Sequence, residues 1–291
     1  MNDKDVLPNF LVIGAQRCAT SWMYFCLKEH PDIFLPFIKE LHFFNNYYEK
    51  GLEWYKRYFN TWSGQKAIGE ISPGYLYIER SPRLIYRHLK GVRLIVCLRN
   101  PIERAYSQYK KHLRTELALG SFQEAIEKDP QYIQRGFYFE QINRYLKYFP
   151  RERMLFLVYE DIQKDPIAFL KNIFSFLEVN SDFVPSCIDK IILSEDLKSA
   201  YTYIHRTSLF LRDRMYLAAF VDFVKKSYLQ KMFDRFFNSE FAFNVVRPGI
   251  KSDKVTTDPI NEETRRMMNK IFLNENKKLS DFIGRDLSFW V

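Results

Sequence analysis

Cysteine is scarce: only four of the 291 residues are cysteine, and Cys18, Cys26, Cys97 and Cys187 show neither C-x-x-C spacing nor a paired histidine pattern. The signatures of a zinc site and of a disulfide framework are therefore missing, and the thiols read as reduced, in a cytoplasmic protein. The amino terminus, MNDKDVLPNF, lacks the apolar core of a secretory signal. Long apolar runs are missing as well. The most apolar late stretch, MYLAAFVDFV at 215–224, is interrupted by Asp222 and is far shorter than the roughly 20 residues a membrane span needs. There is no low-complexity tract and no repeat at a solenoid period, which argues against disorder and against a stacked array.

The sequence does have the means to build a large core. It is 47% hydrophobic and 17% aromatic, which fits one principal folded domain spanning 1–291. Its net charge of +9 favours anionic partners: nucleotides, sulfated or phosphorylated substrates, nucleic acid or a lipid surface. Charge alone does not choose among them.

Short apolar runs bounded by turn residues occur at Phe10–Ile13, Lys66–Gly69, Val92–Leu98 and Met154–Tyr159, and a stretch with helical spacing follows each. The spacing predicts helices at about 20–29, 52–59, 81–89, 101–117, 137–148 and 165–178. Such alternation predicts a doubly wound α/β sheet flanked by helices, covering about residues 1–180. Beyond Glu178 no clear strand appears. Two long helices, at about 207–237 and 260–283, flank a turn-rich segment and predict an appended helical lobe over about 181–291.

In a parallel sheet, ligands gather at the carboxyl ends of strands, where helix amino termini present unpaired N–H groups. IGAQRCATSW, 13–22, occupies such a place. Gly14 suits a turn out of the strand, Arg17 supplies a charged fork, and the backbone around Cys18–Ser21 with two hydroxyls can surround an anion. A Walker A loop needs G-x-x-x-x-G-K-[ST], but no lysine sits here and Ala19 stands where a second glycine would help. Taken alone, the loop equally fits an ordinary βα turn in which Thr20 or Ser21 caps the helix. VRLIVCLRNPIERAYSQY, 92–109, shifts that balance. It reads as a buried strand ending in Arg99, then Asn100 as N-cap, Pro101 at the first helical position and Glu103 in a capping-box-like place. Arg99 then shares the carboxyl edge with the first loop, and Ser107, two turns into the helix, can face back toward it.

These residues carry a resemblance. The first loop resembles the 5′-phosphosulfate loop of sulfotransferases that use 3′-phosphoadenosine 5′-phosphosulfate (PAPS), and LRNPIERAYSQY resembles their 3′-phosphate motif. HPDIFLPFIKELHFF (30–44), GEISPGYL (69–76), RGFYFEQINRYLKYFP (135–150), LFLVYEDIQKDP (155–166) and GRDLSFW (284–290) are similar to segments of the heparan-sulfate and bacterial branches. The resemblance implies a P-loop-like fold, PAPS as donor, PAP as product and no metal. It also implies donor binding by Gln16, Arg17, Cys18, Ala19, Thr20, Ser21, Trp22, Arg99, Ser107 and Tyr138, with Trp22 against the adenine, and with Arg247 and Lys251 closing over the 3′-phosphate. Core packing is the competing reading for Trp22 and Tyr138.

Three positions depart from the family pattern: Arg17 replaces the loop lysine, Ala19 a glycine, and Ile71 a lysine frequent in the heparan branch. Arginine keeps the charge but does not give up its proton near neutral pH, so Arg17 is limited to electrostatic stabilisation of the leaving phosphate. Resemblance to K-E-x-H-F-F makes Glu40 the expected general base, with His42 second because imidazole titrates near neutrality. The acceptor is expected to be a hydroxyl of a glycan, a lipid or a small molecule. The basic, aromatic segment 208–237 suits either packing on the protein body or peripheral contact with an anionic membrane. Two other readings compete, a P-loop phosphotransferase and a nonenzymatic nucleic-acid binder. The first lacks its lysine and the second lacks any recognised module.

Overall fold

The computed structural model describes residues 6–188, apart from 116 and 119, and 259–290. The segment 208–237, Arg247 and Lys251 lie outside the described residues. Four apolar runs become strands β1 (Phe10–Gly14), β3 (Ala67–Ile71), β4 (Arg93–Leu98) and β5 (Met154–Val158). The sequence signal missed β2, Ile33–Phe34, because two residues display no period. All pairings are parallel and the order is β2-β3-β1-β4-β5. Central β1 is buried throughout, as expected of a strand covered on both faces. Its register against β4 shifts between Val12 and Gly14, where the chain leaves the sheet for the first loop.

Ten helices surround the sheet among the described residues: α1 (Thr20–Glu29), α2 (Leu52–Lys56), α3 (Ser81–His88), α4 (Pro101–Arg114), α5 (Phe122–Lys128), α6 (Gln131–Gln134), α7 (Tyr138–Leu146), α8 (Glu160–Lys164), α9 (Pro166–Phe176) and α10 (Glu262–Ile283). Of these, α5, α6 and α8 were not anticipated, since helices of seven, four and five residues are too short to reveal a period. A cue for α5 was nevertheless present: Ser121 and Glu124 form a complete capping box. α10, expected in the carboxyl-terminal lobe, packs on the α/β body. Its buried Met268 and Phe272 join the cluster of Ile102, Tyr106 and Phe122, and Phe272 meets Phe137 with ring centroids 5.4 Å apart. None of the described helices is long and apolar enough to cross a membrane.

The start of α4 differs from expectation in an informative way. Asn100 caps it, its Oδ1 accepting the N–H groups of Ile102 (2.9 Å) and Glu103 (3.3 Å). Glu103 does not close a capping box. Its carboxylate instead accepts from Arg265 of α10 at 2.9 Å, and Glu160 of α8 takes the N–H of Asn100 at 3.0 Å. Asn100 Nδ2 also donates to the carbonyl of Trp290 at 2.9 Å, tying the cap to the terminal segment. Asn100→Ala is expected to destabilise the protein by about 1–2 kcal/mol, the range for loss of a cap, measured as a fall in the urea midpoint.

All four cysteines are free and buried. Cys26 Sγ and Cys187 Sγ lie 3.3 Å apart.

Candidate active site

Just beyond β1 the chain still runs beside β4, with Ala15 N–H donating to the carbonyl of Cys97 at 2.7 Å. Gly14 serves close approach rather than turning: a Cβ there would stand 2.6 Å from Cβ of Leu76. Arg17 (φ 71°) and Ala19 (φ 56°) adopt left-handed conformations, which side-chain-bearing residues disfavour. The alternative reading of Thr20 or Ser21 as helix cap is not met. Ala19 occupies the cap position of α1 with no side-chain hydrogen bond, so the positive end of the helix dipole carries no side-chain acceptor.

Arg17 and Arg99 are brought together. Arg17 Nε donates to Ser107 Oγ at 3.1 Å, and Arg99 Nη1 reaches the carbonyl of Arg17 at 3.4 Å. The guanidinium of Arg99 also lies 4.4 Å from the ring centroid of Tyr159, a face-on cation–π contact. Burial lowers the Arg17 pKa, and the neighbouring charges of Arg99 and Arg114 lower it further. The strongest charges acting on Arg17 are thus cations, an arrangement that an anionic ligand would relieve.

Two further arginines, absent from the sequence-based site, lie beside this pair. Arg104 is fully buried. Its Nη2 donates to the carbonyl of Tyr132, while Nε and Nη1 have no hydrogen-bond partner among the described residues. Burial lowers its pKa too. Arg135 donates to Gln16 Oε1 and to Gln131 Oε1 and lies over the ring of Tyr77. Gln16, Tyr77, Arg104, Arg135 and Gln141 line a cleft of about 200 Å³ including its open mouth. Arg104 sits inside the recognised LRNPIERAYSQY motif, but only its burial, which one sequence does not reveal, distinguishes it from a surface charge.

Glu40 and His42 stand on the loop that crosses the sheet edge from β2, both at positive φ (65° and 54°). Glu40 N–H donates to the carbonyl of Ile71 at 3.1 Å, docking the loop on β3. The carboxylate meets Lys39 Nζ at 2.7 Å through one oxygen and His42 Nε2 at 3.2 Å through the other. On the far side of the imidazole, Asn45 Nδ2 lies 3.2 Å from His42 Nδ1. Burial alone would raise the Glu40 pKa. The charge of Lys39 and hydrogen bonds from His42 and Lys39 outweigh it and hold the carboxyl well below the usual range. Gly74 keeps this region open to the first loop, since a Cβ there would stand 2.9 Å from Asn45 Nδ2 and 3.7 Å from both Gln16 Nε2 and His42 Cε1. Lys111 of α4 feels Arg17, Glu40, Arg135 and Lys39 electrostatically, while burial is the main cause of its lowered pKa. The loop of Glu40 and His42, the first loop and α4 therefore face one another. Ile71 is buried and brings no charge to this face.

The remaining predicted residues divide by exposure. Cys18 and Tyr138 are fully buried. Cys18 can offer a ligand only its backbone, and burial pushes its thiol up to about 12. The hydroxyl of Tyr138 donates to the backbone carbonyl of Arg99 at 3.0 Å, beside the Arg17–Arg99 pair. Trp22, 7% exposed, packs edge-on against Phe169 with ring centroids 5.8 Å apart.

Comparison with known proteins gives the family and the fold. The profile of the sulfotransferase domain family matches residues 7–242. Heparan sulfate glucosamine 3-O-sulfotransferase 6 of Homo sapiens is 30% identical over 179 residues, covering 58% of this chain and 52% of that protein. The membrane-associated sulfotransferase kil1 of Dictyostelium discoideum is 40% identical over 106 residues, covering 35% and 22%. The chain thus spans from about a fifth to about half of the length of these relatives. Among solved structures, the sulfotransferase from Alicyclobacillus acidocaldarius superposes with a TM-score of 0.70 over 98% of this chain and 99% of that one, at 23% identity. Mouse sulfotransferase SULT7A1 complexed with PAP gives a TM-score of 0.51 at 17% identity, covering 92% of this chain and 83% of that one. The P-loop-like α/β fold is shared with both structures, and with a family profile that matches most of its length, the chain belongs to the sulfotransferase domain family.

Proposed function

We propose that this protein transfers the sulfonate group of PAPS to a hydroxyl of an acceptor, with Arg17 stabilising the leaving phosphate and Glu40 removing the acceptor proton. The observation that carries the reading is the continuous chain Ser107–Arg17–Arg99 at the carboxyl edge of β1 and β4, facing the Glu40 loop. The residues present fit the donor. An uncapped helix amino terminus and Arg17, whose strongest charged neighbours are the cations Arg99 and Arg114, suit a ligand with anionic groups at two ends. Arg17 and the α1 backbone would hold the 5′ end, and Arg99 with Ser107 the 3′-phosphate. The donor supplies the sulfonate.

The chemistry asked of the protein is positioning and charge stabilisation. Arg17 cannot act as an acid, and it need not, because a phosphate leaves as a stable anion. A strongly acidic Glu40 is a poor base for a free alcohol. The alcohol proton becomes far more acidic as its oxygen bonds to sulfur, so a carboxylate that is always ionised takes it late in the transfer. Lys39 and His42 keep Glu40 in that ionised form. A glycan is the acceptor class favoured here, by the heparan sulfate relative and by the cationic surroundings of Glu40 formed by Lys39, Lys111 and Arg17.

Calorimetry with PAP, ATP and an oligonucleotide tests the donor assignment: selective tight binding of PAP is expected, and preference for ATP or the oligonucleotide overturns it. Incubation with labelled PAPS and fractionated cell extract then identifies the acceptor from whichever component gains the label.

A further inference from the structure

Glu70 is a carboxylate that the reaction described above leaves unused. It lies in β3, at the strand beside β1, and is 1% exposed. Its hydrogen-bond partners are three hydroxyls rather than a cation. Ser72 Oγ and Tyr75 Oη each donate to Oε1 at 2.6 Å, and Tyr55 Oη donates to Oε2. A hydroxyl has one proton. Once that proton is committed to the carboxylate, the oxygen is left to accept.

Two of these oxygens accept from the loop that carries Glu40. His42 N–H donates to Ser72 Oγ at 3.2 Å and Phe44 N–H to Tyr75 Oη at 3.4 Å. The third hydroxyl belongs to a ring that grips the same segment: Tyr55 stacks on Phe43 at 4.5 Å and meets Phe44 edge-on at 5.3 Å. One buried carboxylate therefore sets the polarity of two relays, and both end on the backbone of residues 42–44. The segment needs such an anchor, because Glu40 and His42 hold left-handed conformations that their side chains disfavour.

We propose that Glu70 is a positioning residue for the base loop: it turns the hydroxyls of Ser72 and Tyr75 inward, which makes them acceptors for the N–H groups of His42 and Phe44 and holds Glu40 toward the first loop. The proposal rests on the reading of Glu40 as base. Glutamine at position 70 has nearly the same shape: with its N–H₂ turned to Tyr55 Oη its single oxygen still receives the protons of Ser72 and Tyr75, but without the charge that makes those bonds strong, so both relays are held less firmly.

The test is amide hydrogen exchange on Glu70→Gln, Ser72→Ala and Tyr75→Phe, together with PAP affinity and turnover on the acceptor fraction that takes label. In Glu70→Gln, exchange at His42 and Phe44 is expected to speed up by up to about tenfold, as for replacing a charged acceptor with a neutral one, while β1 and β4 amides keep their protection. PAP affinity stays within about twofold and turnover falls at least about tenfold. Ser72→Ala should release His42 alone and Tyr75→Phe should release Phe44 alone. If Glu70→Gln does not fold, these two variants decide the matter. Unchanged exchange at both amides, or acceleration spread equally over β1 and β4, overturns the proposal. Loop amides freed by Glu70→Gln while Glu40→Gln keeps full turnover would support the anchor and remove Glu40 from the reaction. Protected amides together with a dead Glu40→Gln variant would do the reverse.

Discussion

Arg17→Ala is expected to weaken PAP binding and slow sulfonate transfer together. Removing a charged donor from a phosphate contact should cost roughly 10–100-fold in PAP affinity. Losing a preorganised donor at the site of developing charge should cost about 10²–10³-fold in turnover. Both follow from its placement: Arg17 is held at φ 71° on the uncapped start of α1, with Nε already fixed by Ser107 at 3.1 Å. Its head group is therefore oriented before any ligand arrives. Arg17→Lys sharpens the experiment, since it restores the charge and the residue usual in the family but not the planar fork to Ser107. An intermediate loss is expected. Calorimetry with PAP and rates with labelled PAPS measure the two effects, and turnover retained in Arg17→Ala would remove this residue from the leaving-group role.

Glu40→Gln is expected to lower turnover by about 10²–10⁴-fold, the range for loss of a general base, with PAP affinity unchanged. The substitution keeps the shape of the side chain and one oxygen but removes the charge that meets Lys39 and His42. Its pH dependence follows from the direction of the Glu40 shift. Burial raises the carboxyl, and Lys39 and His42 pull it below its ordinary value by more. A folded-state pKa lowered in this way contributes stability that is fully present above the unfolded value of about 4.3 and is lost as pH falls through the folded value. The difference in thermal midpoint between wild type and Glu40→Gln should thus be constant near neutrality and close only in acid below the usual carboxylate range. Turnover should likewise show no loss due to Glu40 between neutrality and about pH 5. A difference that vanished on raising the pH would contradict the sign.

Much of the framework is legible in the chain because local rules and tertiary demands agree there. The runs at Phe10, Val92 and Met154 are mostly apolar, since β1 is buried throughout and β4 beyond Arg93 is too, and Asn100-Pro101 marks the start of α4. The site is legible only where a charged residue falls at a strand end, as Arg17 and Arg99 do. Arg104, Arg135 and Glu70 are not, because an arginine in a helix or a glutamate in a strand reads as a solvated charge until its neighbours are known.

The sequence by itself determined the alternation of the main strands and helices, the place of the first loop between β1 and α1 and that of Glu40 and His42 on one segment, since all of these are local along the chain. Tertiary structure alone decided that Glu103 turns to Arg265 and leaves Asn100 N–H to Glu160, that Tyr138 donates to the carbonyl of Arg99, and that the buried Glu70 gathers the hydroxyls of Ser72 and Tyr75. Most of these contacts join residues far apart in the chain. Which partner a buried polar group finds depends on which strands and helices are neighbours in space, and no local pattern encodes that.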